Sequence, residues 1–217
     1  MRVELSKGRH VFNFGEPYVI AELGANHNGD MGLAKKLIDS AKEAGADCVK
    51  FQSWSSSSLF AKVKFDENYF LKDDYRDRQD YNLEEIVDKY AISEEQLLEM
   101  KHYADNVGID CISTPFSKRE VDFLVDEMNS PFIKVASMDV NNYPFIDYLA
   151  HKGKPIVLST GLSEVHEIDR AIRTIENAGN KQIVILHCVS IYPPDDTQIN
   201  LRNIHTLQSL YPDYPIG

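Results

Sequence analysis

The stretch Phe132–Gly161, FIKVASMDVNNYPFIDYLAHKGKPIVLSTG, decides the fold. It opens on an apolar run, FIKVAS, passes through a helical segment at Pro144–Lys152 and closes on a second apolar run, PIVLSTG. Short apolar runs bounded by turn residues predict strands, and a helix between two of them predicts a parallel β-α-β unit. Both runs end in polar groups, Ser137 in the first and Ser159 in the second. Parallel strands with functional groups at their C-terminal ends are how a (β/α) barrel or an open α/β sheet builds an active site.

The same unit recurs on either side. Strand-like runs lie at Tyr18–Gly29 (YVIAELGANHNG), Cys48–Ser53 (CVKFQS), Asp110–Phe116 (DCISTPF) and Ile183–Pro193 (IVILHCVSIYP). Helices are predicted at Met31–Ala44, where Leu33, Ala34, Leu37, Ile38 and Ala41 keep helical spacing, and at Lys118–Glu127, Ser163–Ala178 and Leu201–Tyr211. Ser93-Glu94-Glu95-Gln96 has the form of a capping box and starts another helix. YPDYPIG, at Tyr211–Gly217, reads as the entry to a seventh strand. Val3–Gly15 reads as a hairpin about Lys7-Gly8-Arg9, and the connection Trp54–Tyr90, dense in charge and aromatics, as a packed lid. The expected organisation is an N-terminal hairpin over residues 1–17 and a partial barrel over 18–217. Six βα units and part of a seventh fall short of a closed eight-stranded barrel, and an open six-stranded sheet is the alternative.

Composition narrows the function. The 217 residues carry 23 Lys+Arg against 34 Asp+Glu, a net charge of −11, which argues against a nucleic-acid or anionic-membrane surface. An anionic substrate would need individually placed cations. The three cysteines, Cys48, Cys111 and Cys188, all fall in predicted strands and are expected to be buried reduced thiols. The N-terminal MRVELSKGRH lacks the apolar core of a signal peptide and no run approaches a membrane span, so a soluble cytoplasmic protein is expected. No Walker loop, GxSxG elbow, HExxH or CxxC pair occurs, which weighs against nucleotide hydrolysis, serine hydrolysis and zinc peptidase chemistry.

Two lysines, Lys50 and Lys134, sit inside otherwise apolar strands. Burying an ammonium without a partner is costly, so each is expected to be paired with a carboxylate or to face a cavity. On two strands of one barrel they would suit a doubly anionic ligand. Thr114, Ser137 and Ser159 are hydroxyls at three further strand ends, open to reading as turn caps or, with the lysines, as a phosphate cradle. Glu22 is open to three roles: general base, metal partner or counter-ion of Lys50. Gln52 lies two residues past Lys50 and points to the same face. His27, in a Gly/Asn-rich loop, is read as a solvated or a site histidine, and His187 as a core or a site histidine; neither has the second ligand that a metal site requires. Tyr192-Pro193 offers an aromatic wall for a sugar or an ordinary packed loop.

AELGANHNG, VKFQ, STPF, KVAS, NNYP, LSTG and LHCVSIYP, in this order and spacing, resemble the sialic acid synthase family, whose members make nine-carbon α-keto acids such as N-acetylneuraminic, legionaminic and pseudaminic acids. The resemblance runs from Tyr18 onward. It implies a TIM (β/α)8 barrel followed by a small antifreeze-like domain, in a homodimer, that condenses phosphoenolpyruvate with an N-acetylmannosamine-type sugar and uses a divalent metal, typically manganese. By motif it implies that Lys50, Thr114, Lys134, Ser137 and Ser159 hold phosphoenolpyruvate. Glu22, Gln52, Phe116, Asp139, Ser190 and Tyr192 would lie around the sugar and the reacting carbons. Asp139 stands where the N-acetylneuraminate form has Glu and Ser190 where it has Asn, so the sugar is left open, with a lean toward a diacetamido sugar as in legionaminate synthesis. The family's metal-ligating histidines and the antifreeze-like domain would lie beyond Gly217, so the chain is expected to be a truncated synthase, inactive alone. Two rival readings stand beside it: a Schiff-base aldolase acting through Lys134, and a non-catalytic fragment that binds phosphosugars.

Overall fold

A computed structural model describes residues 1–66, 82–191 and 193–217. They form two compact units, one of Ile20–Phe123 and one of Met1–Val19 with Leu124–Gly217.

The first unit is built on a parallel three-stranded sheet in the order β3-β4-β5, with β3 at Ile20–Gly24, β4 at Cys48–Ser53 and β5 at Asp110–Pro115. Alternation along the strands divides the two faces. Val49 and Phe51 are fully buried on one, and Lys50 lies on the other, in register with Glu22 of β3 and Ile112 of β5. Helix α1 (Met31–Glu43) follows β3, capped by Asp30, whose carboxylate accepts from the Gly32 and Leu33 N–H groups. The connection after β4 contains α2 (Ser56–Leu59), α3 (Lys62–Asp66) and α4 (Leu83–Tyr90); Tyr69, Phe70, Tyr75 and Tyr81 of the expected lid lie outside the described residues. Helix α5 (Glu94–Val107) starts in the predicted capping box and stops at Gly108, whose φ of +76° favours glycine. Its Leu97, Met100 and Ala104 are buried, and it packs against α1.

The second unit holds the hairpin of β1 (Val3–Ser6) and β2 (Arg9–Val11), turning at Gly8 with φ +77°, as the Lys7-Gly8-Arg9 pattern predicts. Its main sheet is parallel in the order β6-β7-β8, with β6 at Ile133–Val135, β7 at Ile156–Ser159 and β8 at Ile183–Leu186. Helices α7 (Tyr143–Ala150), α8 (Val165–Asn177) and α9 (Arg202–Leu210) follow the three strands, and α7 packs on α8. The predicted seventh strand begins at Ile216, which bridges in parallel to Ile185 of β8.

Two predicted elements change form. The helix expected over Lys118–Glu127 is α-helical only as α6 (Lys118–Asp122) and widens to a π turn over Phe123–Glu127, where the Ser130 N–H reaches back to the Leu124 carbonyl at 2.8 Å. The run Ile183–Pro193 is strand only to Leu186. Beyond it, the His187 imidazole donates from Nε2 to the Ile199 carbonyl at 2.7 Å and so ties the strand end to the following loop.

Candidate functional site

In the first unit, Lys50 is buried and its Nζ lies 2.5 Å from Glu22 Oε2 and 2.9 Å from Thr114 Oγ1, to which it donates. The expected counter-ion is therefore Glu22, itself half exposed, while Thr114 is buried. A register shift between Glu22 and Gly24, with Gly24 at φ +49°, brings the end of β3 past Gln52. A Cβ on Gly24 would meet Glu22 Oε1 at 3.2 Å and Gln52 Nε2 at 3.8 Å, so the carboxylate and the amide converge over a position that lacks a side chain. On the opposite face, Ser53 and Ser113 hydrogen bond to each other at 2.6 Å. The Phe116 ring tilts against Trp54 at 6.3 Å between centroids, and its N–H donates to Glu120 Oε2 at 2.6 Å.

Of the two readings of His27, a solvated or a site histidine, burial removes the first. It is fully buried beside the Phe51 ring, and its Nδ1 accepts from the Gly29 N–H at 3.0 Å. Burial lowers its pKa. With Nδ1 accepting, the neutral ring carries its proton on Nε2, which has no hydrogen-bond partner among the described residues. Its sequence neighbours, Ala25, Asn26, Asn28 and Gly29, form the turn they suggest, and nothing local signals that the ring inside it is buried.

In the second unit, Lys134 is buried and donates to the Val135 carbonyl at 2.8 Å and to Ser159 Oγ. Cys188 Sγ donates to the same hydroxyl at 3.3 Å. Cys188 thus departs from the buried strand thiol expected of it: β8 has ended at Leu186, and the thiol is half-buried at the end of β7. Cys48 and Cys111 are buried as expected, and burial pushes the Cys111 thiol up to about 12. Ser137, in the 3-10 turn Ser137–Asp139 that follows β6, accepts from the Gly161 N–H at 3.0 Å. A Cβ on Gly161 would collide with the hydroxyls of Ser137 and Ser190, so Ser190 joins this cluster. Asp139 is buried and its Oδ1 accepts from Asn142 Nδ2 at 3.4 Å. Tyr192 lies outside the described residues. Ser190 and the Ser159–Gly161 run were expected at the site; sequence reading missed Cys188, for which its alternation with Ser190 past β8 was the available signal.

Among the described residues, no group of three or more His, Cys, Asp and Glu side chains is placed to hold a metal ion. These residues therefore do not supply a coordination shell for the divalent metal that the resemblance implies. No helix among them is long and apolar enough to cross a membrane.

The sequence pattern of the NeuB family matches residues 37–217, which include all of these positions except Glu22, Gly24, His27 and Gly29. The chain belongs to the NeuB family. It is 35% identical over 217 residues to the N-acetylneuraminate-9-phosphate synthase of Homo sapiens, covering 100% of this chain and 59% of that protein. It is 33% identical over 204 residues to the N,N'-diacetyllegionaminic acid synthase of Legionella pneumophila, covering 92% of this chain and 56% of that one. Its fold matches the crystal structure of the N-acetylneuraminic acid synthetase of Leptospira borgpetersenii with a TM-score of 0.85 at 28% identity, over 100% of this chain and 69% of the other. This NeuB chain thus spans somewhat more than half the length of the curated relatives it matches.

Proposed function

We propose that this chain carries the phosphoenolpyruvate-binding part of a nonulosonate synthase, which joins phosphoenolpyruvate to an N-acetylated amino sugar and releases phosphate. The observation that carries the reading is the same in both sheets: a buried lysine held against a strand-end hydroxyl, Lys50 on Thr114 and Lys134 on Ser159. Buried ammonium groups backed by hydroxyl donors suit phosphate and carboxylate oxygens. The family and the names of the relatives support the same reaction class.

In the proposed reaction, C3 of phosphoenolpyruvate forms a bond to the open-chain aldehyde carbon, water adds at C2 and phosphate leaves with C–O cleavage. Lys50, Thr114, Lys134, Ser137 and Ser159 would bind the anionic groups and offset charge at the reacting carbons. Glu22 and Gln52, which converge over Gly24, would orient the sugar, with Phe116, Asp139, Ser190 and Tyr192 as further sugar contacts. The strands would be part of a (β/α)8 barrel, and the protein would act as a cytoplasmic homodimer. Since the chain spans 59% and 56% of its relatives, we also propose that turnover requires further chain, with the ligands of a divalent metal, manganese by family resemblance, lying there. Schiff-base chemistry at Lys134 is the weaker reading, because its amine already spends donors on Val135 and Ser159.

Phosphate release from phosphoenolpyruvate with manganese tests the proposal. The 217-residue chain and a longer form are compared across N-acetylmannosamine, its phosphorylated form and its diacetamido analogues. Release by the longer form alone is expected, and the accepted sugar names the product. Release by the 217 residues alone would refute the need for further chain. An adduct trapped by borohydride with pyruvate would replace the synthase with the aldolase.

A further inference from the structure

Ser159 ends β7 almost fully buried and receives two donors, Lys134 Nζ and the Cys188 thiol, the latter at 3.3 Å. A hydroxyl has one proton and two acceptor lone pairs. With both lone pairs occupied, the only hydrogen bond left to Ser159 is one in which it donates. Ser137 is less constrained: its oxygen accepts from the Gly161 N–H at 3.0 Å and keeps a second lone pair. Gly161 is the residue that lets this happen: a Cβ there would stand 2.9 Å from Ser137 Oγ and 3.2 Å from the Cys188 carbonyl oxygen, so its missing side chain leaves the hydroxyls their space.

We propose that Cys188 is a positioning residue of the oxyanion cradle: together with the Lys134 ammonium it saturates the acceptor side of Ser159 and turns the Ser159 O–H outward as a donor. The inference rests on reading this cluster as part of the phosphoenolpyruvate site. It adds a ligand preference: with its acceptor side filled, Ser159 offers only a donor, which favours an unprotonated phosphate or carboxylate oxygen as its partner. Without the thiol, the Ser159 proton has a second direction available and the productive one is less populated.

Calorimetric titration of phosphoenolpyruvate into the wild-type chain, Cys188→Ala and Cys188→Ser tests it, with thermal unfolding midpoints measured alongside. Cys188→Ala is expected to weaken binding about threefold to fivefold, the scale of one modest hydrogen bond, with little change in unfolding midpoint. Cys188→Ser keeps a donor beside Ser159 and is expected to stay within about twofold of wild type. Equal affinity of wild type and Cys188→Ala would overturn the inference and leave the phosphoenolpyruvate reading standing. Equal weakening in both variants would also overturn it, since side-chain shape and not the donor would then matter. No binding by the wild type would remove the phosphoenolpyruvate reading and this inference with it.

Discussion

Replacing Lys50 with methionine separates what this residue does for the fold from what it does for a ligand. Lys50 is buried against Glu22 and Thr114, and removing one partner of an ion pair is costly only where the other charge is left buried. Glu22 is half exposed, so water can take over its charge when the ammonium goes. Lys50→Met is therefore expected to unfold at the same temperature as wild type or higher, yet to bind phosphoenolpyruvate about 10-fold to 100-fold more weakly, the scale of one charge-assisted hydrogen bond. A parallel loss of stability and binding would make Lys50 structural. His27 carries a prediction of the opposite kind. Burial holds its pKa below the ordinary 6.5, so the unfolded chain takes up a proton at higher pH than the folded one. Stability present above pH 6.5 is thus lost as the pH falls toward the lowered folded value. His27→Asn, which can keep an acceptor near the Gly29 N–H, is expected to shrink the drop in melting temperature between about pH 7 and pH 5. An unchanged drop would show that other groups carry the acid sensitivity. Lys50 was legible in the sequence because a lysine inside an apolar strand is conspicuous; the burial of His27 was not, because its neighbours in sequence are loop-like.

Elements end where their caps put them. The box that begins α5 forms as its four letters predict: Ser93 Oγ accepts from the Gln96 N–H at 3.2 Å and Gln96 Oε1 accepts from the Ser93 N–H at 2.9 Å. Ser93→Ala is expected to cost about 1 kcal/mol in urea unfolding and to leave phosphoenolpyruvate affinity unchanged. A stability unchanged within error would mean that water satisfies the helix end equally well. The π turn after α6 shows the limit of such reading. The apolar pattern of Phe123–Glu127 continues that of the helix and carries no local signal of the wider turn. Strand ends are similarly ambiguous: IVILHCVSIYP is one apolar run, yet β8 stops at Leu186, and the four residues after it place Cys188 and Ser190 at the end of β7.

Across the molecule, Asn13 performs a task no local pattern announces. Its Nδ2 donates to the Tyr214 carbonyl at 3.0 Å and its Oδ1 accepts from the Ile216 N–H at 2.9 Å, partners 201 and 203 residues away. The segment it holds pairs with β8, where the Gly217 N–H donates to the Ile185 carbonyl and the His187 N–H to the Gly217 carbonyl. Asn13→Ala is expected to destabilise the chain by about 1–3 kcal/mol and to speed hydrogen exchange at the Ile216, Gly217 and His187 amides before those of β6 and β7. Uniform acceleration over all these strands would show that the clasp supports the whole sheet and not its last strand. The sequence by itself determined the β/α alternation, the strand positions, the capped helix starts and the polar strand ends, because each depends on residues within a few positions of one another. Tertiary structure alone decided which hydroxyl each lysine meets, that His27 is buried, that Cys188 faces Ser159 and that Asn13 clasps Tyr214 and Ile216. Those contacts join residues far apart in the chain, and no local spacing encodes the approach of side chains that only the packed fold brings together.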